Sequence, residues 1–236
     1  MANVGDIIDA DNAEWSFRGS ASENFDAHVR KSIPLYDQSH QLILAISDFF
    51  LGEDSLCYDL GCATGTLCNL LAERHQNKAV RIVGVDVEED MIKIADSRKQ
   101  ASSAISYVAE SLVDMDLEPA DLIISHYTMQ FIKPKHRQTV FDRVHRSLNW
   151  GGGFLLFEKV RGPDARFQDM MTTIYHDHKL DQGFTGDQII AKLRSLKGVL
   201  EPFSTDGNLG LMKRAGFVDV MTVMKYVCFE GFLAIK

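Results

Sequence analysis

The chain has 236 residues, 45% of them hydrophobic and 25% charged, with a formal net charge of -8 and an isoelectric point near 5.5. That length suits one large domain with a real core, and an acidic balance without a block of Lys and Arg argues against broad nucleic-acid binding through phosphates. No apolar run reaches the eighteen residues of a membrane-spanning helix, the polar, acidic start MANVGDIIDADNAEWSF is unlike a signal peptide, and Cys57, Cys62, Cys68 and Cys228 form neither a C-x-x-C pair nor a zinc spacing with histidine. A cytoplasmic protein with free thiols, no metal and no membrane partner is the expectation.

Residues 1–40 are predicted to form a helical N-terminal cap, and HQLILAISDFFL at 40–51 carries helical periodicity. Strand-like and helix-like stretches then alternate: strand 56–61, helix 64–75, strand 80–87, helix 88–100, strands 105–111 and 120–127, helix 135–148, a turn at NWGGG and a strand over 154–160. This rhythm predicts a parallel sheet with helices on both faces. Residues 161–206 turn helical and polar and read as an insertion over the sheet's carboxyl edge. The pattern resumes with a helix ending at Gly216 and a strand, and KYVCFEGFLAIK at 225–236 reads as one closing strand. The whole is read as a single domain.

The stretch LCYDLGCATGT at 56–66 carries the chemistry. Small residues at Gly61, Ala63 and Gly65 let the backbone pass close to a ligand. A dinucleotide loop wants its third small residue three places after the second; Thr66 stands there instead. Asp59 at the mouth of the loop would repel a pyrophosphate but suits a ligand with positive charge. S-adenosylmethionine, with an ammonium, a sulfonium and no phosphate, fits. Asp86 ends the next strand, twenty-one residues beyond Gly65, where an acid can accept both ribose hydroxyls. The same residue could also serve as an N-cap for the following helix.

With LNWGGGFLLFE and MKRAGFVDV downstream, these features resemble the class I S-adenosylmethionine-dependent methyltransferases. The resemblance implies an α/β fold, Rossmann-like, with a seven-stranded mostly parallel sheet whose last strand is antiparallel. More narrowly, the chain resembles the carboxy-S-adenosylmethionine synthases of tRNA wobble-uridine modification, through WSF at 15–17, RKSIPLY at 30–36, YDLGC at 58–62, TMQFI at 128–132, FEK at 157–159, HDHK at 176–179 and RAGF at 214–217. That branch makes a carboxymethyl sulfonium from S-adenosylmethionine and prephenate. The resemblance implies cofactor contacts from Tyr36, Gly61, Cys62, Ala63, Asp86 and Val87, an adenine neighbour at Ser111 (with Leu112 beside it) where the branch has Asp, and a homodimer. His126 stands where the branch has Asn. The branch also places an arginine before its KAGF-type helix end to neutralise the product carboxylate; here Leu211 occupies that place, and Lys213 and Arg214 turn to another helix face. Arg161, Arg166 and Arg194 of the 161–206 insertion are the candidate substitutes.

Leu211 favours ordinary methyl transfer to a small-molecule acceptor, with carboxy-S-adenosylmethionine synthesis as the alternative and a non-catalytic S-adenosylmethionine-binding module as the third reading. Methyl transfer rests mainly on alignment of nucleophile and methyl. His126, at the carboxyl end of its strand, is the first candidate base, or else one more cofactor contact; Tyr175 and His176 follow, with Tyr127 and Glu158 behind them. A base methyltransferase of nucleic acid is disfavoured, because SHYT lacks the Asn/Asp-Pro-Pro-aromatic signature that grips a flipped base.

Overall fold

The computed structural model describes residues 2–99 and 104–236. Its elements, in chain order, begin with a short hairpin of β1 (Ala2–Asn3) and β2 (Asp9–Ala10), followed by helices α1 (Ser20–Glu23), α2 (Phe25–Ser32) and α3 (Tyr36–Ser47). The alternating region contains β3 (Leu56–Leu60), α4 (Thr66–Arg74), β4 (Arg81–Asp86), α5 (Glu89–Ser97), β5 (Ile105–Ala109), β6 (Ala120–His126), α6 (Pro134–Ser147) and β7 (Leu148–Lys159). The chain ends with α7 (Ala165–Asp181), α8 (Gly186–Ser195), α9 (Thr205–Ala215), β8 (Asp219–Tyr226) and β9 (Phe229–Ile235).

The main sheet has seven strands in the order β5-β4-β3-β6-β7-β9-β8. Pairings from β5 through β7 are parallel, and β9 runs antiparallel to both neighbours, as the resemblance implied. Strand β3 is buried at every residue and β6 at most of them, because a parallel sheet covered on both faces needs continuous apolar strands. One core layer joins Ile43, Leu67 and Leu71 to Cys57, Leu122 and Phe157. The opposite layer packs Phe141, Leu211, Met212 and Phe217 on Tyr58, Phe154 and Phe232. Strand order reverses beside β3, which pairs with both β4 and β6. The crevice outside their carboxyl ends is where such sheets bind ligands.

Several boundaries differ from expectation. Residues 2–19 form the β1–β2 hairpin and irregular chain instead of helix, because Asp6 and Ile7 adopt positive φ and Val4 N–H bonds to Ile8 O at 2.8 Å; Met1 lies outside the described residues. Strand β7 starts at Leu148, since NWGGG stays extended; a register shift opposite Ala120 and Leu122 absorbs it. The closing segment is two strands, with Lys225 and Tyr226 ending β8 and the turn at Val227 and Cys228. The helix read over 88–100 ends at Ser97, and its final position, Gln100, lies outside the described residues. Gly216 ends α9 at φ 115, as a left-handed C-cap should.

The N-terminal segment and α8 are laced together above the carboxyl edge. Ala13 N–H donates to Arg194 O at 2.9 Å, Trp15 N–H to Ser195 O at 3.1 Å, and Gln188 Nε2 to Asn3 Oδ1 at 2.9 Å. Helix α7 joins through the Tyr175 hydroxyl, which donates to Ser32 O at 2.8 Å.

Candidate functional site

Above the carboxyl ends of β3, β4, β6 and β7 lies a cavity of about 1000 Å³, roofed by α2, α7, α8 and the N-terminal segment. That volume is at the upper end of the roughly 300–1,000 Å³ of small-molecule sites and has room for two ligands side by side.

The glycine loop forms one end. Gly61 and Ala63 have φ of 85 and 47. A Cβ on Gly61 would fall 2.1 Å from Thr128 Oγ1, so only glycine fits there. Gly61 and Cys62 N–H groups bond to Val85 O at 2.7 and 2.9 Å, and Ala63 N–H bonds to Asp86 Oδ2 at 2.9 Å. Asp26 of α2 accepts from the hydroxyls of Thr64 and Thr66 at 2.7 and 3.2 Å, tying the roof to the loop. Gly65 departs from expectation: it does not line the cavity. It is the left-handed N-cap of α4, and Tyr107 and Ala95 pack behind it.

Asp59 lines the cavity at 2% exposure. Its described polar contact is a weak bond from Cys68 Sγ at 3.4 Å. Burial without a protein cation pushes its carboxyl up to about 7, since desolvation disfavours the charged form. Asp86 also sits high, chiefly through burial. It accepts from Ala63 N–H and, at Oδ1, from Glu88 N–H at 3.0 Å, while the N-cap of α5 is Glu88, so the N-cap role weighed for Asp86 is not what forms. Glu88 is paired with Arg18 at 2.7 Å. Val87, Ser111 and Leu112 complete this end.

The middle of the cavity is aromatic. The His126 ring lies 5.1 Å from Tyr36, 4.7 Å from His40, 4.5 Å from Tyr127 and 5.3 Å from Phe157. Burial holds His126 well below an ordinary histidine, and His40 at about 4, so both rings are neutral at pH 7. Ser39 Oγ donates to Tyr36 O at 2.6 Å and lies 2.7 Å from His126 Nε2.

The far end is cationic. Lys159 ends β7 with its ammonium 4.2 Å from the centre of the Tyr175 ring; Lys179, one helical turn beyond Tyr175, approaches the same ring at 5.3 Å. Lys192 of α8 lies over Trp15. Lys179 and Lys192 are buried, and among the described residues none of the three ammonium groups has an ion pair or a hydrogen-bond acceptor. Burial lowers all three, Lys179 to about 8. Asp6, which reaches His28 of this wall at 2.9 Å, is already bound to Lys31 as well.

Of the expected catalytic groups, His126, Tyr175 and His176 do line one cavity. The Tyr175 hydroxyl is committed to Ser32 O and burial pushes it up, so it is no base; its ring carries the lysines. His176 is only half-buried. Glu158, on the opposite face of β7, is buried and pushed up to about 8, and does not line the cavity. Leu211 points into the core with Met212 and Phe217. Arg161 and Arg194 reach the rim as exposed residues, and Arg166 lies outside the lining. The cations nearest the centre are therefore the lysines, which sequence reasoning passed over. FEK and HDHK contained two of them, and Lys192 follows Ile189 by three, on the buried stripe of α8.

Polarity thus runs along one cavity. Among the described residues its acids are Asp59, Asp86 and Glu88, all at the loop end, and its buried lysines lie at the other. No group of three or more His, Cys, Asp or Glu among these residues could hold a metal ion, and no described helix is long and apolar enough to cross a membrane.

Residues 58–152 match the methyltransferase domain family. The carboxy-S-adenosyl-L-methionine synthase of Staphylococcus epidermidis is 34% identical over 94% of this chain and 97% of its own length. The enzyme of the same name from Campylobacter lari is 33% identical over 94% and 95%. Among solved structures, the apo S-adenosylmethionine-dependent methyltransferase SibL superposes with a TM-score of 0.63 at 13% identity, over 92% of this chain and 57% of that one. Human N-acetylserotonin methyltransferase in complex with S-adenosylmethionine superposes with a TM-score of 0.55 at 17% identity, over 91% and 61%. The chain spans less than two thirds of both structures, whose likeness is one of fold.

Proposed function

The chain belongs to the carboxy-S-adenosyl-L-methionine synthase family, on the class I S-adenosylmethionine-dependent methyltransferase fold, and on that premise we propose that it is a transferase that builds carboxy-S-adenosylmethionine from S-adenosylmethionine and a small carboxylated donor. The observation that carries this reading is the polarity of the cavity, acidic at the glycine loop and ammonium-lined beyond the aromatic middle.

S-adenosylmethionine, when bound, supplies an activated carbon on a positively charged sulfur. The residues present fit it. Buried Asp59, raised for lack of a cation, would recover its charge beside the ligand's positive end. Asp86 keeps lone pairs for ribose hydroxyls, Ser111 and Leu112 would flank the adenine, and the open backbone at Gly61 to Ala63 would admit the chain between. The electron-rich faces of Tyr36 and Tyr127, beside neutral His126, suit a sulfonium. Burial disfavours the charged form of these lysines, and a ligand anion beside them would restore it, gaining the charge pairing that the protein itself does not supply. Prephenate, the donor implied by the resemblance, is such an anion.

Methyl transfer to a small nucleophile, the expectation drawn from Leu211, uses the same loop end but leaves the three lysines without a ligand group. It loses its main support because Leu211 is a core residue off the cavity. Incubation of the purified protein with S-adenosylmethionine and prephenate, followed by mass spectrometry, is expected to give a sulfonium one carboxyl heavier that requires both substrates. S-adenosylhomocysteine with a methylated acceptor, and no heavier sulfonium, would overturn the proposal.

A further inference from the structure

Three ammonium groups are more than a single carboxylate needs, and they are not equivalent in place. Lys159 sits at the carboxyl end of β7, two residues past Phe157, which touches His126; its ammonium also approaches Phe229, at 6.0 Å, and that ring contacts Tyr127 at 5.8 Å. It therefore borders the aromatic middle, where the sulfur belongs. Lys179 and Lys192 lie farther under the roof. Lys179 approaches Phe184 at 5.4 Å, Phe184 packs on His28 at 5.6 Å, and His28 stacks on Trp15, the ring that carries Lys192. The Tyr175 ring is approached by both Lys159 and Lys179. Its hydroxyl donates to Ser32 O, which holds the ring in place.

We propose that Lys159 is the specificity residue for the carboxylate attached to the sulfonium, in the role that Leu211 cannot fill, and that Lys179 with Lys192 forms a separate subsite for a second carboxylate of the donor. The donor is then a dianion with one carboxylate at Lys159, beside the aromatic middle, and the other at Lys179 and Lys192. The carboxylate destined for transfer faces the S-methyl carbon: that methyl gives up a proton and forms a C–C bond to the transferred carboxyl as the donor's ring–carboxyl bond breaks, the donor leaves as phenylpyruvate with its ring hydroxyl departing as water, and the retained carboxylate anchors the donor under Trp15. This assignment rests on the proposed reaction and adds which lysine serves which carboxylate.

The test uses Lys159→Met, Lys179→Met and Lys192→Met in the full-length protein, changes that keep the length and apolar stem of each side chain. Calorimetry compares S-adenosylmethionine with carboxy-S-adenosylmethionine, and steady-state kinetics gives KM for prephenate. The expected result is a fall of at least tenfold in the ratio of carboxy-S-adenosylmethionine to S-adenosylmethionine affinity for Lys159→Met, with that ratio unchanged in the other two. Lys179→Met and Lys192→Met should instead raise KM for prephenate at least tenfold, and Lys→Arg at the same positions should restore part of the loss. Binding of S-adenosylmethionine reports that each variant is folded. If the wild type forms the carboxylated product but the variants share one pattern, or change neither quantity, the division is wrong while the reaction stands. If the wild type forms no such product, the reaction itself fails and the assignment with it.

Discussion

Asp59 is the residue whose environment speaks most directly about the ligand. Its carboxyl sits at about 7 against an ordinary 3.8, so in the ligand-free fold the charge opposes folding. The cost is absent below about pH 4, where both states are protonated, grows as pH rises from there to about 7, and is at its full value above that. Asp59→Asn is therefore expected to raise the ligand-free melting temperature at pH 8, by the equivalent of roughly 1–3 kcal/mol, while S-adenosylmethionine affinity falls. A cationic ligand should draw the Asp59 proton off. Affinity for S-adenosylmethionine is then expected to weaken as pH drops below 7, with proton release that calorimetry in buffers of different ionisation enthalpy would register; a flat profile from pH 6 to 8 would count against this role. Asp86→Ala should weaken the same ligand by about 1–3 kcal/mol, the worth of charge-assisted hydrogen bonds to a ribose; unchanged calorimetric affinity would remove Asp86 from the site. At this scale the loop end was legible, because Asp59, Gly61, Ala63 and Asp86 are close in sequence and their chemistry depends on strand ends and turns. The lysines were not, because Lys159, Lys179 and Lys192 come from three elements that only the folded roof brings to one cavity.

The elements themselves were legible where composition and period agree. Strands β3 and β4 are short apolar runs closed by Gly61 and Asp86, β6 is an apolar run that ends at His126, and α9 stops at Gly216. That stop is testable: at φ 115, with a Cβ reaching 2.8 Å from the His145 ring, Gly216→Ala should destabilise by about 1–3 kcal/mol in denaturant unfolding. A wild-type midpoint would show that the cap is dispensable. Misread elements are those lacking local punctuation. The β8–β9 turn falls on Val227 and Cys228, with Val227 at φ 51; neither is a turn-former, so hairpin pairing overrides local preference. NWGGG reads as a turn by composition, yet Gly153 is held in the ladder opposite Ile235, with Phe50 filling the space beside it. The N-terminal hairpin depends on α8, about 180 residues later in the chain, which no local pattern reports.

For the whole molecule, the sheet brings four strand ends to one edge, and the roof encloses what lies above them. The acidic loop end, the aromatic middle and the lysine end line a single cavity. A ligand matching that sequence carries a cation, an aromatic-compatible sulfonium and a carboxylate. Placed in a partly buried site, an unpaired carboxylate would cost several kcal/mol, and facing a lysine that lacks a partner it gains instead. The most direct measurement is calorimetric comparison of carboxy-S-adenosylmethionine with S-adenosylmethionine on the wild-type protein at pH 7. At least tenfold tighter binding of the carboxylated compound is expected; equal or weaker binding would contradict the account.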